Sequence, residues 1–405
     1  MKKFNKFLSV AVASAMVMAM AGCGNTDNGS AATGTNAATE SAAASDSAAS
    51  GSVFKIGGIG PTTGGAAVYG LAVQHGAEIA VEEINAAGGI NGYQVEFKFQ
   101  DDEADAEKSV NAYNALKDWG AQIIDGSTTS GACIAVTDKT KEDNMFQITP
   151  SGSAVECVQY DNNFRVCFSN PNQGLASAQY IGENGLAEKI AVIYDSSDVY
   201  SSGIYEKFAK EAENQPFEIV AAEAFTADNK TDFSVQLQKA KDAGADMVFL
   251  PIYYQESALI LTQAAAMGYA PKWFSCDGMD GILGGVDNFD VSLTEGVMLL
   301  TPFAADATDD LTQSFVTKYK EKYGDTPNQF AADSYDAIYV IKDAIEKSGV
   351  TPDMSVSDIC DGMKAAMTEI TVDGLTGNGM TWTADGEANK APKAVVIENG
   401  AYKAM

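Results

Sequence analysis

Histidine and arginine are almost missing from this chain of 405 residues. His75 is its only histidine and Arg165 its only arginine. A Ser-His-Asp relay would depend on one imidazole, a histidine-rich zinc site cannot be assembled, and a bidentate arginine clamp for phosphates is disfavoured. We therefore expect no catalytic residue, no metal and no cofactor. His75 is interpreted as a helix-surface residue and Arg165 as a structural anchor.

Positive charge is scarce overall. The chain has 26 lysines and arginines against 55 aspartates and glutamates, which gives a formal net charge of -29. A protein with this much negative charge would repel nucleic acid and anionic membrane surfaces. Neither is therefore expected as a direct partner. Because 46% of the residues are hydrophobic and 20% are charged, the chain can bury a full core.

Apolar runs are short, and the one near the N terminus, residues 7–21, is too short and too rich in Ala and Ser for a membrane span. It follows lysines at positions 2, 3 and 6 and ends in Met20-Ala21-Gly22-Cys23, which resembles the bacterial lipobox. The resemblance implies that 1–22 is a lipoprotein signal peptide and that lipidated Cys23 anchors the secreted protein to the outer face of the cell membrane. The alternative is an ordinary secretory peptide with an incidental cysteine.

The segment 23–52 holds mostly Ala, Ser, Thr, Gly and Asn. Such a composition cannot bury enough surface to offset the entropy of ordering, so we expect a disordered tether. Five cysteines remain beyond Cys23 and no CxxC pair exists, so structural zinc is not expected. Cys157 and Cys167 bracket a short hairpin-like loop, and export permits disulfides, so we predict a disulfide between them.

From residue 53 onward, short apolar runs alternate with helical patterns. The strand candidates are 53–59, 93–99, 121–125, 145–149, 189–194, 217–222, 246–250, 272–275, 296–300 and 394–398. The run 93–99 alternates strictly between apolar and polar residues. This order predicts an α/β protein with doubly wound parallel sheets, divided into two domains by its length.

Ligands of such sheets sit beyond the carboxyl ends of the strands. Hydroxyl groups and free backbone N–H groups dominate the first three predicted strand ends, at 60–65, 126–131 and 150–153. Aromatic rings and a carboxylate characterise the later ones, at 195–200, 251–254 and 276–278. The first set suits a carboxylate and the second an ammonium group, so together they suit a zwitterion.

Two further motifs have rival interpretations. Gly58-Ile59-Gly60-Pro61-Thr62-Thr63-Gly64 departs from the spacing of a dinucleotide loop, so we interpret it as a turn that shapes a pocket. The acidic run 101–105 could bind calcium but lacks the glycine of an EF-hand loop. We interpret it as the acidic N terminus of the helix that follows.

The succession of five motifs identifies a family. They are Gly-Gly-Ala-Ala-Val-Tyr-Gly (64–70), Glu-Glu-Ile-Asn-Ala-Ala-Gly-Gly-Ile-Asn-Gly (82–92), Gln-Asp-Asp-Glu (100–103), Ile-Thr-Pro-Ser-Gly-Ser (148–153) and Asn-Gln-Phe-Ala-Ala-Asp-Ser-Tyr-Asp-Ala (328–337). Their order resembles the branched-chain amino-acid (leucine/isoleucine/valine) binding proteins of ABC importers, which have the type I periplasmic-binding-protein fold. The resemblance implies two lobes joined by three hinge crossings. The N-terminal lobe would combine 53–170 with 302–377, and the C-terminal lobe 171–301 with 378–405.

The resemblance also implies the ligand contacts. Ser130 and Ser153 would hold the α-carboxylate of an amino acid with their hydroxyls, Ser151 would contribute its backbone, and Asp277 would pair with the ammonium group. Aromatic residues would form the remaining walls: Tyr69, Tyr200, Tyr253 and Phe330. Asp277 is shorter than the glutamate usual in leucine-binding members, and it could instead cap the turn before Gly278.

A monomer that delivers its amino acid to an ABC permease is the expected function. A sensory binding protein without a permease would use the same pocket and is the first alternative. An enzyme on a nucleotide-binding fold is the second, and the dinucleotide loop, metal constellation or histidine relay that it would need is not found in the sequence.

Overall fold

The computed structural model describes residues 51–405. The predicted signal peptide, Cys23 and the tether as far as residue 50 lie outside these residues. No helix in the described part of the chain is long and apolar enough to cross a membrane.

Strands and helices alternate along the described chain. The strands are β1 (Phe54–Gly60), β2 (Val95–Asp101), β3 (Ile123–Asp125), β4 (Phe146–Thr149), β5 (Asn163–Arg165), β6 (Lys189–Asp195), β7 (Glu218–Phe225), β8 (Met247–Leu250), β9 (Lys272–Ser275), β10 (Met298–Thr301), β11 (Lys393–Glu398) and β12 (Ala401–Ala404). The helices are α1 (Ala67–Ala86), α2 (Ala106–Trp119), α3 (Ser130–Asp143), α4 (Asn170–Glu183), α5 (Val199–Ala212), α6 (Ser234–Asp242), α7 (Tyr254–Ala266), α8 (Asp310–Tyr323), α9 (Gln329–Ser348) and α10 (Val356–Met367).

The strands form two sheets, which define two lobes. The first lobe has a parallel sheet in the order β2-β1-β3-β4-β5, and α1, α2, α3, α8, α9 and α10 pack around it. The second lobe has the order β12-β11-β10-β9-β8-β6-β7, with helices α4 to α7, and its strands are parallel except for the antiparallel β11 and β12. The two-lobed α/β fold is as predicted. The chain passes between the sheets after β5, β10 and α10, while the predicted residue boundaries of the lobes stay a prediction.

Local sequence explains where the helices begin and end. The interior strands β4 and β8 are buried along their whole length, as parallel strands covered on both faces must be. Asp105 caps α2 by accepting hydrogen bonds from the backbone N–H groups of Glu107 and Lys108, each at 2.9 Å. Asp105 thus forms the predicted helix N terminus, whereas Asp101 ends β2 and buried Asp102 accepts a hydrogen bond from the hydroxyl of Ser127. Gly120 ends the helix at φ 92°, a left-handed conformation that favours glycine.

His75, the only histidine of the chain, packs against a neighbouring helix. His75 lies half-buried in α1, and its ring stacks on Tyr323 of α8 with the ring centroids 3.6 Å apart. Its Nδ1 lies 3.2 Å from the hydroxyl of Tyr319. His75 lies on a helix, as predicted, but it is not a plain surface residue, because these contacts pack α8 against α1.

The predicted disulfide between Cys157 and Cys167 is wrong for this structure, in which both are free, buried thiols. Cys157 lies in the 3-10 turn Val155–Val158 and packs with Cys133 of α3 and Ala154. Its sulfur also faces the backbone oxygen of Ser130, 3.7 Å away. The side chain is therefore directed at α3, whereas Cys167 lies beyond β5. Of the intervening residues, Asn163–Arg165 form strand β5, which pairs with β4, so the segment is not the predicted hairpin-like loop.

Candidate functional site

A small cavity of about 10 Å³ lies between the two lobes. Its walls are Tyr69, Thr128, Thr129, Ser130, Ser151, Tyr200, Tyr253, Asp277, Gly278 and Phe330. We call it the central cavity. It is found beyond the carboxyl ends of the strands, where ligands of doubly wound sheets bind.

The first-lobe wall is built around the N terminus of α3. Ser130 begins this helix, and its Oγ accepts hydrogen bonds from the backbone N–H groups of Ser153 (3.2 Å) and Ala154 (3.1 Å). The hydroxyl of Thr129 is buried and has no hydrogen-bond partner among residues 51–405. A helix N terminus carries partial positive charge, so this wall favours an anion such as a carboxylate.

Two residues explain why the wall has this shape. A side chain at Gly60 would place its Cβ 2.1 Å from the hydroxyl of Thr128, so only glycine lets the two loops approach. Gly58 to Gly60 belong to strand β1, so only the second half of the glycine-rich segment, 61–64, forms the predicted turn. Arg165 is fully buried and donates hydrogen bonds to the backbone oxygens of Ala154 (2.8 Å) and Gly152 (3.3 Å). It is thus a structural anchor, as predicted, and it fixes the loop that carries Ser153.

The second-lobe wall is centred on the carboxylate of Asp277. Its oxygens accept hydrogen bonds from the hydroxyl of Tyr200 (2.6 Å) and from Nε2 of Gln173 (2.9 Å). The residue is only 5% exposed, and burial raises its pKa to about 7, although these two donors oppose the rise. The N–H of Gly278 donates to the Tyr200 hydroxyl, at 2.8 Å, so this hydroxyl links Asp277 to the turn that follows it.

Aromatic rings fill most of the space between the walls. Tyr200 stacks on Tyr253 with the ring centroids 5.0 Å apart. Tyr69 lies 4.3 Å from Phe330 and 5.4 Å from Tyr253, measured between ring centroids. Together with Asp277 and the α3 N terminus, the site therefore offers an anion-favouring wall, an acidic wall and apolar ring faces.

Hydrogen bonds across the cavity join the lobes. The hydroxyl of Tyr69 in the first lobe donates to the backbone oxygen of Gly278 in the second. It also accepts from the N–H of Tyr254, at 3.3 Å. Nε2 of Gln329, at the start of α9, donates to the backbone oxygen of Asp277, at 2.9 Å. The structure is therefore a closed form.

The structure brings most of the predicted contact residues together. Seven of them line the central cavity: Tyr69, Ser130, Ser151, Tyr200, Tyr253, Asp277 and Phe330. Ser153 lies behind this wall, with its Oγ 3.5 Å from that of Ser130. The prediction missed Thr128, Thr129 and Gly278 as wall residues. Their signal was in the sequence, because the first two lie in the hydroxyl-rich turn 126–131 and the third follows Asp277.

An acidic vestibule of about 340 Å³ adjoins the central cavity and shares Thr129 and Tyr253 with it. Its walls include the carboxylates of Glu103, Asp195, Asp198 and Glu256 and the ammonium group of Lys230. Lys230 pairs with Glu256 at 3.0 Å. The vestibule therefore keeps a negative balance. Within residues 51–405, no group of three or more His, Cys, Asp or Glu side chains could hold a metal ion.

Comparison with known proteins agrees with this architecture. A family model described as periplasmic binding protein matches residues 53–401. A leucine-, isoleucine-, valine-, threonine- and alanine-binding protein of Pseudomonas aeruginosa is 30% identical over 73% of this chain and 78% of its own length. The branched-chain amino acid transporter substrate-binding protein of Streptococcus pneumoniae, solved in complex with isoleucine, has a TM-score of 0.78 at 28% identity. A leucine-binding protein of Thermotoga maritima has a TM-score of 0.77 at 28% identity, and each match covers 87% of this chain and 98% of the other.

Proposed function

The chain belongs to the periplasmic binding protein family, and on that premise we propose that it captures an amino acid outside the cytoplasm for an ABC importer. The names of its relatives support a binding protein and not an enzyme. The observation that carries the proposal is the pairing of walls in the central cavity. The N terminus of α3 faces it from one lobe and the carboxylate of Asp277 from the other.

Each wall would recognise one charge of the amino acid. The α-carboxylate would accept hydrogen bonds from Ser130 and from the unpartnered hydroxyl of Thr129, at the positive end of the α3 dipole. Ser153 would contribute through its contact with Ser130. The ammonium group would pair with Asp277, whose burial leaves it in need of a positive charge.

Capture would require the lobes to move. A volume of about 10 Å³ holds roughly one water molecule, so an amino acid cannot fit without displacement of the aromatic rings. Opening would separate Tyr69 from Gly278 and expose both walls. A ligand that contacts both lobes would then favour closure through those contacts alone.

The side chain of the ligand would lie against aromatic faces, which suits an aliphatic amino acid. The Pseudomonas relative is named for five amino acids, from leucine to alanine, and this supports an aliphatic or small ligand. Delivery to a permease, as opposed to sensing, would be favoured by two permease genes and two ATPase genes beside this one.

We also propose that Cys23 is lipidated and anchors the protein, and that the segment 23–52 tethers a monomeric binding body to it. The lobes would divide at 53–170 plus 302–377 and 171–301 plus 378–405. Replacement of Cys23 by Ser should release the protein from the membrane fraction of the producing cells. A variant that stays in that fraction would contradict the anchor while leaving the binding proposal intact.

The binding proposal can be tested by a thermal-shift screen of the common L-amino acids followed by calorimetric titration of the best. A ligand at about 100 times its dissociation constant should stabilise the protein by roughly 2.7 kcal/mol. We expect leucine, isoleucine, valine, threonine or alanine among those that stabilise it. If no L-amino acid binds while a folded protein is present throughout, the proposal is wrong.

A further inference from the structure

A second and larger cavity, of about 490 Å³, lies between the lobes. None of its wall residues belongs to the central cavity. Val68 of α1, Phe303 and residues 325–328, which precede α9, line it from the first lobe. Asp280, Gly281, residues 283–285, β10 and Gly400 to Lys403 line it from the second. We call it the flanking cavity, and its volume is in the range of small-molecule sites.

The wall of the flanking cavity contains a buried carboxylate, Asp280, with one oxygen that accepts no hydrogen bond from residues 51–405. Asp280 is 4% exposed, and its Oδ2 accepts a hydrogen bond from the N–H of Gln329 at 2.9 Å. Its Oδ1 has no hydrogen-bond partner among the described residues. A buried oxygen of this kind is costly unless something satisfies it. Burial raises the pKa of Asp280, although the backbone N–H of Gln329 and the hydroxyl of Tyr402 oppose the rise.

The other charges around the cavity do not supply that counter-charge. Lys403 pairs with Asp306 at 3.6 Å, and both are on the rim. The remaining two charged wall residues, Lys320 and Asp325, are of opposite sign. The walls therefore hold one more carboxylate than ammonium groups, and Asp280 is the buried carboxylate that has no basic partner among the wall residues.

Part of the wall is apolar or aromatic. Leu283, Leu299 and Phe303 line the cavity together with the ring of Tyr402. The hydroxyl of Tyr402 accepts a hydrogen bond from the N–H of Gly281 at 3.3 Å, which fixes the ring beside the acid. The flanking cavity thus combines a carboxylate oxygen that has no partner in the described part of the chain with apolar surface, and Lys320, Thr326 and Asn328 add polar groups to its wall.

We propose that the flanking cavity binds an organic ammonium ion with an apolar body. One ammonium N–H would donate to Oδ1 of Asp280, and the body would lie against Leu299 and Phe303. Because both lobes contribute walls, occupancy would favour the closed form. Binding of the ammonium ion would therefore raise the affinity of the central cavity for its own ligand. Binding of that ligand would raise the affinity of the flanking cavity for the ammonium ion by the same factor.

Cyclohexylammonium chloride is a suitable probe, with cyclohexanol as its neutral counterpart. Neither carries the carboxylate that the α3 wall of the central cavity is proposed to bind. Calorimetric titration of the protein should show binding of the amine, with the alcohol weaker by about tenfold or more. Equal binding of the amine and the alcohol, or binding of neither, would overturn the proposal.

Three variants locate the site. Asp280→Asn keeps an oxygen that can accept a hydrogen bond from Gln329, and it should lower the affinity for the amine by about tenfold or more. Asp306→Asn removes a charge at the rim and should change that affinity by less than about threefold. Gly284→Leu should also weaken it, because Gly284 lines the cavity and a Cβ there meets no atom within 4 Å. Circular dichroism would verify that each variant is folded.

Other outcomes contradict the assignment. If Asp280→Asn and Asp306→Asn weaken the amine equally, only net charge matters. If Gly284→Leu binds it normally, the amine is not in the cavity. If Asp277→Asn abolishes binding and Asp280→Asn does not, the amine occupies the central cavity. None of these results depends on amino-acid binding, so the inference can fail while the proposed function stands.

Discussion

The two walls of the central cavity use different physics to do complementary tasks. The first-lobe wall is neutral and consists of hydroxyls at the N terminus of α3, held by Arg165 beneath the loop 152–155. The second-lobe wall depends on one ionisable side chain, Asp277, supported by Tyr200 and Gln173. A helix dipole does not titrate near neutral pH, but a buried carboxylate with a pKa of about 7 does.

This difference has a consequence for recognition. The α3 wall should treat every α-carboxylate alike over the usual pH range. The Asp277 wall should bind well only when its carboxyl is ionised. Changes to the second wall should therefore have larger and more pH-dependent effects than changes to the first.

The largest effect should come from Asp277→Asn. The substitution keeps the shape but leaves the ligand ammonium without its counter-charge, at a cost of about 2 to 5 kcal/mol, or 30-fold and more in affinity. Calorimetric titration with the best amino acid measures it. Asp195→Asn, which changes a vestibule carboxylate outside the central cavity, is the matched control and should lose less than about threefold. Unchanged affinity in Asp277→Asn would mean that the acid only supports the turn.

Ser130→Ala should have the next largest effect. It removes one hydrogen bond to a charged carboxylate and should cost about 1.5 to 3 kcal/mol of binding free energy. Ser151→Ala is the control, because the Ser151 hydroxyl already donates to the backbone oxygen of Thr128, at 2.6 Å. The same titration should show a small loss for it. Equal losses would argue against a specific carboxylate contact at Ser130.

Lower pH should weaken binding. Burial raises the pKa of Asp277 to about 7, so the free protein holds a proton there below neutrality, and this proton must leave before an ammonium can pair. Affinity should fall about tenfold between pH 8 and pH 6. Titrations across this range in the parent and in Asp277→Asn give the test. If the pH dependence persists in the variant, it arises from another group. Asp333, which pairs with Lys390, is such a group, because burial raises the pKa of Asp333 to about 6.

The smallest effect should follow from Tyr69→Phe. The loss of the hydroxyl removes the hydrogen bond to Gly278 across the lobes, which should cost about 1 kcal/mol and appear mainly as faster ligand release. Stopped-flow fluorescence can follow release. Tyr319→Phe, which alters a first-lobe hydroxyl beside His75, should release the ligand at the parent rate. Equal rates in all three proteins would argue against a latch at Tyr69.

Most elements could be predicted because their patterns are strong. The apolar run 246–250 predicted β8 (Met247–Leu250), and the alternating run 93–99 predicted β2 (Val95–Asp101) to within two residues. The three-residue β5 was missed because tertiary pairing with β4, and not its own sequence, makes it a strand. The last strand, β12, had a signal that was overlooked. Asn399-Gly400, at φ 54° and 72°, is the turn pair that favours a two-residue hairpin.

The site was harder to predict in depth than in outline. Strand-end position predicted that the loops 126–131, 150–153 and 276–278 border one site, since parallel strands end at one edge of a sheet, and the family resemblance singled out Ser130, Ser151 and Asp277 in them. It could not show that Ser153 lies one layer behind Ser130, or that Cys157 turns toward α3. Those details depend on the conformation of the loop 152–155. The buried side chain of Arg165 holds this loop by donating hydrogen bonds to the backbone oxygens of Gly152 and Ala154, and a local sequence pattern does not reveal such contacts.

The most direct test of the two-wall account is a cycle that changes the ligand and the protein together. An amino acid and its deaminated analogue, which keeps the carboxylate but lacks the ammonium group, would be titrated into the parent and into Asp277→Asn. The account predicts that the substitution weakens the amino acid by about 30-fold or more and the deaminated analogue by less than about threefold, because only the first pairs with Asp277. Equal losses for both ligands would contradict the account, since Asp277 would then support the pocket without recognising the ammonium group.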